Sequence, residues 1–441
     1  MRHKIFLLSL LFLCLFSCGD KEEENTLKWL SSVPEDNAKA VSSLTTGEIV
    51  LTYDREIVIA TPHGITLNGS AVTTKVAVSG KDLKIAVQLA SETSYQLIVP
   101  AKKVQARTDA VQAGEVKISF QTQKEYPVEE FPLVVKNPSP EAVNLYNFLK
   151  ENYGKKIISG MMANVNWNIS ETEWVYQQTG KYPALNGFDY IHLMYSPANW
   201  IDYGNTQVVE NWWNNHGIVA GMWHWNVPQS KDSGNYAFYT TDTSFDIREA
   251  VKEGTYENGV VKADLEKIAG YLLLLKNKNI PVLWRPLHEA AGGWFWWGAK
   301  GPEPCKALWK MMFDYFEERE LNNLIWIWTV EPKDIVGGTN VWYPGDEYVD
   351  IIGRDAYNTT TAKGMLDEYN MLKTRYPDKL ITLSECGNVA GITEQWDAGA
   401  TWSWFMPWYD PTNHSHASAA WWKAAFDNDK VISRDQMPSL K

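Results

Sequence analysis

One rhythm constrains this chain more than any other feature. From residue 155 to residue 408, eight apolar runs of strand length follow one another: "KKIISGMM", "YPALNGFD", "GIVAGMWHWN", "IPVLWRPLHE", "NLIWIWTV", "VDIIGRDAY", "LITLSECG" and "ATWSWFMPW". Between them lie stretches of helix length such as "ADLEKIAGYLLLLKNKN", where apolar residues recur at intervals of three and four. Near-continuous apolar strands joined by helical crossovers imply a parallel sheet buried on both faces. Eight such units in about three hundred residues predict a closed (β/α)8 TIM barrel. An open doubly wound sheet would call for a glycine-rich phosphate loop after its first strand, and "SGMMANVNWN" is not one.

Ahead of the barrel the period changes. "EIVLTYDREIVI", "KVAVSG", "LKIAVQL" and "SYQLIVP" alternate apolar and polar residues and are separated by Gly, Asn, Asp and Ser. That alternation predicts a small all-β Ig-like sandwich over 27–124. The proline-bearing "EYPVEEFPLVVKNP" then supplies a linker over 125–138, and the barrel domain covers 139–436.

The opening "MRHKIFLLSLLFLCLFSC" has a basic start at Arg2 and Lys4, then an apolar stretch from Ile5 to Phe16 that is too short for an ordinary spanning helix. It reads as a secretory signal over 1–17. "LFSC" resembles a lipoprotein lipobox, which implies lipidation of Cys18. The acidic tether over 18–26, with "DKEEEN", resembles the export tag of Bacteroides-type surface lipoproteins. The expected location is therefore the outer membrane, at the cell surface, with a periplasm-facing orientation as the alternative and membrane contact only through the lipid on Cys18.

The formal net charge is -12, which disfavours nucleic acid and anionic lipid as partners and suits a neutral ligand. Outside the leader only Cys305 and Cys386 remain, which is neither a disulfide framework nor a zinc-site spacing. Sequence leaves open whether those two pair.

In a barrel of this kind the active site lies at the C-terminal ends of the strands, so the residues that close each run are the informative ones. Strand three closes on Trp223, His224 and Trp225, and strand four on His288 and Glu289. Strand six closes on Asp355 and Tyr357, strand seven on Glu385, and strand eight on Trp404 and Trp408. A carboxylate ending an apolar run is costly unless it is paired or used. The bland reading of Glu289 and Glu385 is a buried ion pair with Arg285 or Arg354. The functional reading is that two carboxyls facing each other across a barrel mouth suit glycosidic bond cleavage, one as proton donor and one as nucleophile.

The aromatic surroundings of Glu289 raise a carboxyl pKa, which makes it the general acid/base and Glu385 the nucleophile, with the Tyr357 hydroxyl as a donor to it. His224 and His288 are placed to position the acid or a sugar hydroxyl, although a satisfied structural histidine reads equally well for each alone. "HEAAG" has Gly292 where a zinc protease needs its second histidine. At least half of the 22 tryptophans should be packing, Trp326 among them.

With those residues in view, the segment from about 130 to 436 resembles glycoside hydrolase family 26, most of whose members are endo-β-1,4-mannanases. "RPLHEAAGGWFWWG" matches the family's acid/base segment at Glu289, with His288 beside it and Trp294 as a sugar platform. "YPGDEYVDIIGRDAY" matches its strand-six segment, implying substrate contact for Asp355 and support of the nucleophile by Tyr357. "LSECG" matches the nucleophile at Glu385, and "GMWHWN" the strand-three histidine at His224.

The resemblance implies a retaining double displacement on β-mannan, galactomannan or glucomannan without metal or other cofactor, by a chain expected to be a monomer. The implied substrate-binding set is His224, His288, Trp294, Asp355, Tyr357 and Trp404, with Phe295 to Gly298 as loop packing. Ala290 and Ala291 depart from the pattern, standing where relatives usually carry a larger residue and an Asn. Mixed-linkage β-glucanases, β-1,3-xylanases and exo-acting mannobiohydrolases share the family. A non-catalytic glycan-binding lipoprotein on the same scaffold would be expected to lose one of the two carboxylates.

Overall fold

The computed structural model describes residues 26–41, 47–90, 92–122, 132–198, 200–332 and 341–441. The signal segment, Cys18 and the tether as far as Asn25 lie outside the described residues, as do 123–131 of the expected linker. The chain divides into two compact units.

The smaller unit is all-β, the element type that the alternating pattern predicts. Trp29–Val33, Glu48–Tyr53, Asp82–Ala86 and Val76–Ser79 form a four-stranded antiparallel sheet in that order. Ile57–Ile59 pairs with Val104–Ala106. Every second residue of Glu48–Tyr53 is buried, namely Ile49, Leu51 and Tyr53, so one face of that strand packs inward and the other meets water.

The larger unit holds the barrel. Its strands are β1 (Ile157–Met162), β2 (Leu185–Asp189), β3 (Ile218–Met222), β4 (Val282–Arg285), β5 (Leu324–Val330), β6 (Ile351–Tyr357), β7 (Leu380–Gly387) and β8 (Trp404–Pro407). Each pairs in parallel with the next, and β8 pairs in parallel with β1, which closes the ring. All eight apolar runs become these strands. Every residue of β1, β2, β4, β5, β7 and β8 is buried, which is why the runs show no polar alternation.

Crossover helices start where the sequence supplies caps. Ser139, Thr255, Thr361 and Ser418 accept backbone N–H bonds at the starts of Pro140–Asn152, Tyr256–Lys276, Ala362–Arg375 and Ala419–Asp427. Tyr256–Lys276 turns Val261, Leu265, Ile268, Leu272 and Leu275 inward, the spacing of one helical face. Twelve of the 22 tryptophans, Trp326 and Trp422 among them, are fully buried, so most indoles build the core and few can meet a ligand.

Three features depart from expectation. Between β5 and β6 the described residues hold only a 3-10 turn, Asp346–Tyr348, instead of a helix. Pro332, Gly337, Gly338, Pro344 and Gly345 interrupt any helical register there, and 333–340 lie outside the described residues. The end of the expected linker is packed rather than free: Leu133 and Val135 are buried in the barrel core, and the Val134 N–H donates to Asp350 Oδ1 at 2.8 Å. Met437 and Leu440, past the expected end at 436, join the same core. Cys305 and Cys386 are both buried, and no disulfide joins them.

Candidate active site

β4 delivers Arg285 into the barrel, and the chain then turns sharply. Leu287 and Glu289 both take left-handed backbone, at φ +47° and +53°, costing about 1–2 kcal/mol each for an L-residue. Such strain persists only where surrounding contacts fix it. Here the indoles supply them: Trp297 Nε1 donates to the His288 carbonyl at 2.9 Å, and Trp296 Nε1 to the Trp225 carbonyl at 2.6 Å. Phe295, Trp296 and Trp297 are buried and hold the loop.

Two glycines in this loop are sterically required. A Cβ on Gly298 would lie 1.9 Å from the Ala290 carbonyl oxygen, and one on Gly292 would lie 2.2 Å from the Trp294 ring. Ala290 and Ala291 are themselves buried under the turn, which leaves them packing roles rather than an open contact surface. Trp294 alone of the four rings is exposed, at 40%, and its Nε1 donates to Glu289 Oε2 at 3.0 Å.

Opposite Glu289 stand β6 and β7, whose register sets Asp355 beside Glu385. The Arg285 guanidinium joins them, donating from Nη1 to Asp355 Oδ2 at 2.7 Å and from Nη2 to Glu385 Oε2 at 2.5 Å. Ser384 Oγ donates to Asp355 Oδ1 at 2.8 Å, and the Tyr357 hydroxyl donates to Glu385 Oε1 at 2.5 Å. Glu385 is thus an acceptor at both oxygens. Arg354 is committed elsewhere, to Glu368 at 2.7 Å and Glu331 at 3.2 Å.

One oxygen each of Glu289, Asp355 and Glu385 lies within 4.8 Å of the others, the one cluster among the described residues with metal-ligand spacing. Two of those three carboxylates already meet the Arg285 guanidinium, which takes the place a cation would occupy.

The surroundings separate the carboxyls. Burial pushes Glu289 up to about 9, and the negative charges of Asp355, Glu385 and Glu331 add to the effect. Burial raises Asp355 as well, with Arg285 opposing it. Burial, together with the Glu385 charge and the hydrogen bond to it, raises Tyr357, so the phenol stays a proton donor. Arg285 loses its solvent, but the attraction of Asp355 and Glu385 outweighs that loss and holds its pKa above the usual value.

β2 contributes a residue that the sequence reading passed over. Asp189 accepts the backbone N–H of His224 at 3.0 Å through Oδ1 and lies 2.6 Å from His224 Nδ1 through Oδ2. Its signal was the same as that of the glutamates, a carboxylate closing an apolar run. The His224 ring stands edge-on to His288 at 4.5 Å and to Trp408 at 5.5 Å. Burial, with Arg285 and His224 nearby, drives His288 well below the ordinary histidine value, so this ring is neutral.

The structure therefore brings Glu289, Trp294, Asp355, Tyr357 and Glu385 together, with His224 and His288 as a neighbouring pair. It does not bring Trp404 to the mouth. Trp404 opens β8 instead of closing it, is 2% exposed, and lines a small cavity inside the barrel with Met162, Arg285, Ser384 and Met406. The half-buried Trp408, just past the end of β8, is the indole that reaches His224.

Comparison with known proteins points to one family. The model of the glycosyl hydrolase family 26 matches residues 134–436. A mannan endo-1,4-beta-mannosidase of Thermothelomyces thermophilus is 37% identical over 318 residues, covering 68% of this chain and 62% of the relative. Mannan endo-1,4-beta-mannosidase B of Piromyces is 34% identical over 318 residues, covering 68% and 52%. This chain thus spans between about half and three-fifths of the length of these curated relatives.

Among solved structures, the GH26 domain of an endo-beta-mannanase/endo-beta-glucanase from Prevotella bryantii is 39% identical with a TM-score of 0.65, covering 69% of this chain and 98% of that one. A beta-mannanase from a symbiotic protist of the termite Reticulitermes speratus, solved with a gluco-manno-oligosaccharide, is 38% identical with a TM-score of 0.63, covering 71% and 99%. By the reach of the family match, the chain belongs to glycosyl hydrolase family 26.

Proposed function

We propose that this chain is a retaining endo-β-1,4-mannanase that cuts internal bonds of mannan, galactomannan or glucomannan. The observation that carries the reading is a pair of unlike carboxyls at one mouth. Glu289 is held protonated, Glu385 accepts donors at both oxygens, and an oxygen of each lies within 4.8 Å of the other. Retaining glycosidases hold their carboxyls about 5–5.5 Å apart, whereas inverting ones leave about 6.5–9.5 Å for a water. The mannan-directed names of the relatives support the substrate class.

In the first step Glu289 gives its proton to the glycosidic oxygen while a Glu385 oxygen attacks the anomeric carbon. The sugar–oxygen bond breaks, the leaving chain departs with its hydroxyl, and a glycosyl ester forms on Glu385. The ester removes the negative charge that helped to raise Glu289. Glu289, now a carboxylate with a lower pKa, takes a proton from water as that water displaces Glu385. Two inversions give retention. Arg285 and Tyr357 hold Glu385 in line, His224, His288 and Trp294 serve the sugar, and no step calls for a metal; Asp355, buried with both oxygens taken by Arg285 and Ser384, steadies the guanidinium instead of meeting the substrate as the resemblance implied.

Reducing-sugar release from locust bean galactomannan, lichenan and β-1,3-xylan, measured side by side, tests the assignment. Release from galactomannan with a ladder of products is expected. Activity on lichenan alone would move the substrate to mixed-linkage glucan, and mannobiose as the sole product would make the action exo.

The lipid anchor on Cys18, display at the cell surface and a monomeric state belong to the same reading and rest on the sequence. Labelled palmitate should enter the parent chain and not a Cys18→Ala variant. Labelling of both would overturn the anchor. Among the described residues no helix is long and apolar enough to cross a membrane.

A further inference from the structure

Trp225 closes the third apolar run beside His224, yet it is fully buried and cannot touch a sugar. It meets a carboxylate that the mechanism does not use. Its Nε1 donates at 2.7 Å to Oδ2 of Asp264, on the helix Tyr256–Lys276 that crosses from β3 to β4. Burial pushes the Asp264 carboxyl up to about 6, against the hydrogen bond from Trp225 and the charge of Lys267. An ionised Asp264 at neutral pH is therefore held at a cost to the fold. Satisfying an indole does not require that cost. Trp223, Trp284, Trp328 and Trp422 bury their N–H groups without a protein acceptor among the described residues.

The pairing fixes what packing alone leaves open. Trp225 stacks on Trp223, with ring centroids 4.0 Å apart at 16°. A stacked indole can turn over about its outer side-chain bond and stay stacked, so that contact does not choose between the two orientations. A hydrogen bond from Nε1 does choose, and a charged acceptor makes it roughly twice as strong as a neutral one. In the chosen orientation Trp296 stands edge-on to Trp225 at 5.2 Å and donates its own Nε1 to the Trp225 carbonyl at 2.6 Å. Trp296 belongs to the loop that carries the acid, and its neighbour Trp297 holds the carbonyl of His288, the residue before Glu289, at 2.9 Å. Three indole hydrogen bonds thus lead from the crossover helix to the acid.

We propose that Asp264 is a positioning residue for Glu289: by fixing the Trp225 ring it fixes the anchor of the acid loop, without touching the substrate. The inference rests on the reading of Glu289 as the proton donor of a mannanase. An apolar side chain at 264 would free the Trp225 ring, let Trp296 shift, and move the donor relative to the glycosidic oxygen. The nucleophile would keep its place, because Arg285 and Tyr357 fix Glu385 from β4 and β6.

The test is kcat/KM on mannan and on an aryl mannoside whose leaving group needs no proton, for the parent, Asp264→Leu, Asp264→Asn and Trp225→Phe, with thermal melting to verify folding. Asp264→Leu should lower the mannan-to-aryl-mannoside ratio about tenfold, the order expected for a donor displaced by a fraction of an ångström. Asp264→Asn keeps an acceptor oxygen and should recover most of the ratio. Trp225→Phe keeps an aromatic ring and loses the N–H, so it should lower the ratio as Asp264→Leu does, and the double variant should be no worse than either alone. Equal losses on both substrates, an unchanged ratio in Asp264→Leu, an Asn variant no better than the Leu one, or additive losses in the double variant would overturn the role. Failure of the underlying reading looks different. If Glu289→Ala leaves the ratio unchanged, Glu289 is not the donor and both readings fall; if the parent cuts lichenan and not mannan, only the substrate reading fails, and the ratio is read on lichenan and an aryl glucoside.

Discussion

The Arg285 guanidinium lies 2.5 Å from Glu385 Oε2, with both side chains almost wholly out of solvent. The ion pair that was the bland reading of a strand-end glutamate is therefore present, and it does not compete with the functional one. A carboxylate fixed at both oxygens keeps one orientation, which is what in-line attack needs. Glu289 has the opposite surroundings, with no basic side chain within ion-pair distance among the described residues. That contrast separates a nucleophile from an acid where either glutamate alone would be ambiguous.

Arg285→Lys should lower kcat on mannan on the order of 10²-fold with little change in KM, because a lysine cannot reach Asp355 and Glu385 together in the guanidinium's planar geometry. Tyr357→Phe should act in the same direction through Glu385 Oε1. Parallel kcat and KM determinations decide it: a loss carried mainly by KM would make both residues substrate contacts instead.

Glu289→Ala should lower the rate on mannan by about 10²–10⁴-fold, the usual worth of a general acid. The rate should fall much less on an aryl mannoside whose leaving group needs no proton. In the parent, the rate falls as pH rises through the Glu289 pKa, so the basic limb of kcat/KM lies far above the ordinary carboxyl range and disappears in the variant. Stability has the same sign. Between the ordinary carboxyl value and about 9 the folded state keeps a proton that the unfolded chain has lost, so stability falls as pH rises through that window. A basic limb unchanged in Glu289→Ala would assign it to another group.

The two glutamates were legible in the sequence because each closes an apolar run, and a strand end is also a barrel mouth. Asp189 closes "YPALNGFD" by the same rule, but its role depends on a neighbour, His224, 35 residues on, which only strand pairing brings beside it. Trp404 shows the converse. "ATWSWFMPW" offers three indoles, and only the observed start of β8 at Trp404 shows that Trp408 is the ring at the mouth. That the described residues between β5 and β6 hold no α-helix fits the glycines and prolines there. The double use of Arg285 had no such signal, since it depends on three strands meeting.

Asp189→Asn should lower kcat/KM at least tenfold. Asp189 accepts the Nδ1–H of His224 and so fixes how the ring presents Nε2, and an amide N–H at that position would favour the other tautomer. Melting should drop by the equivalent of about 1–3 kcal/mol for the disturbed buried hydrogen bond. Activity retained alongside that drop would make Asp189 purely structural.

Gly298→Ala tests whether the loop holds the acid in place. Its Cβ would meet the Ala290 carbonyl, backbone against backbone, so the turn must shift rather than a side chain swing away. Overpacking of this kind costs about 1–3 kcal/mol and should appear as a lower melting temperature. The same shift would move the His288 carbonyl from Trp297 and turn Glu289 out of line, so kcat should fall by more than the melting change alone implies. Residual activity on the activated aryl mannoside separates the two effects. If the mannan and aryl mannoside rates fall together, the barrel as a whole is damaged; if only the mannan rate falls, the proton donor has lost its position while Glu385 has kept its own.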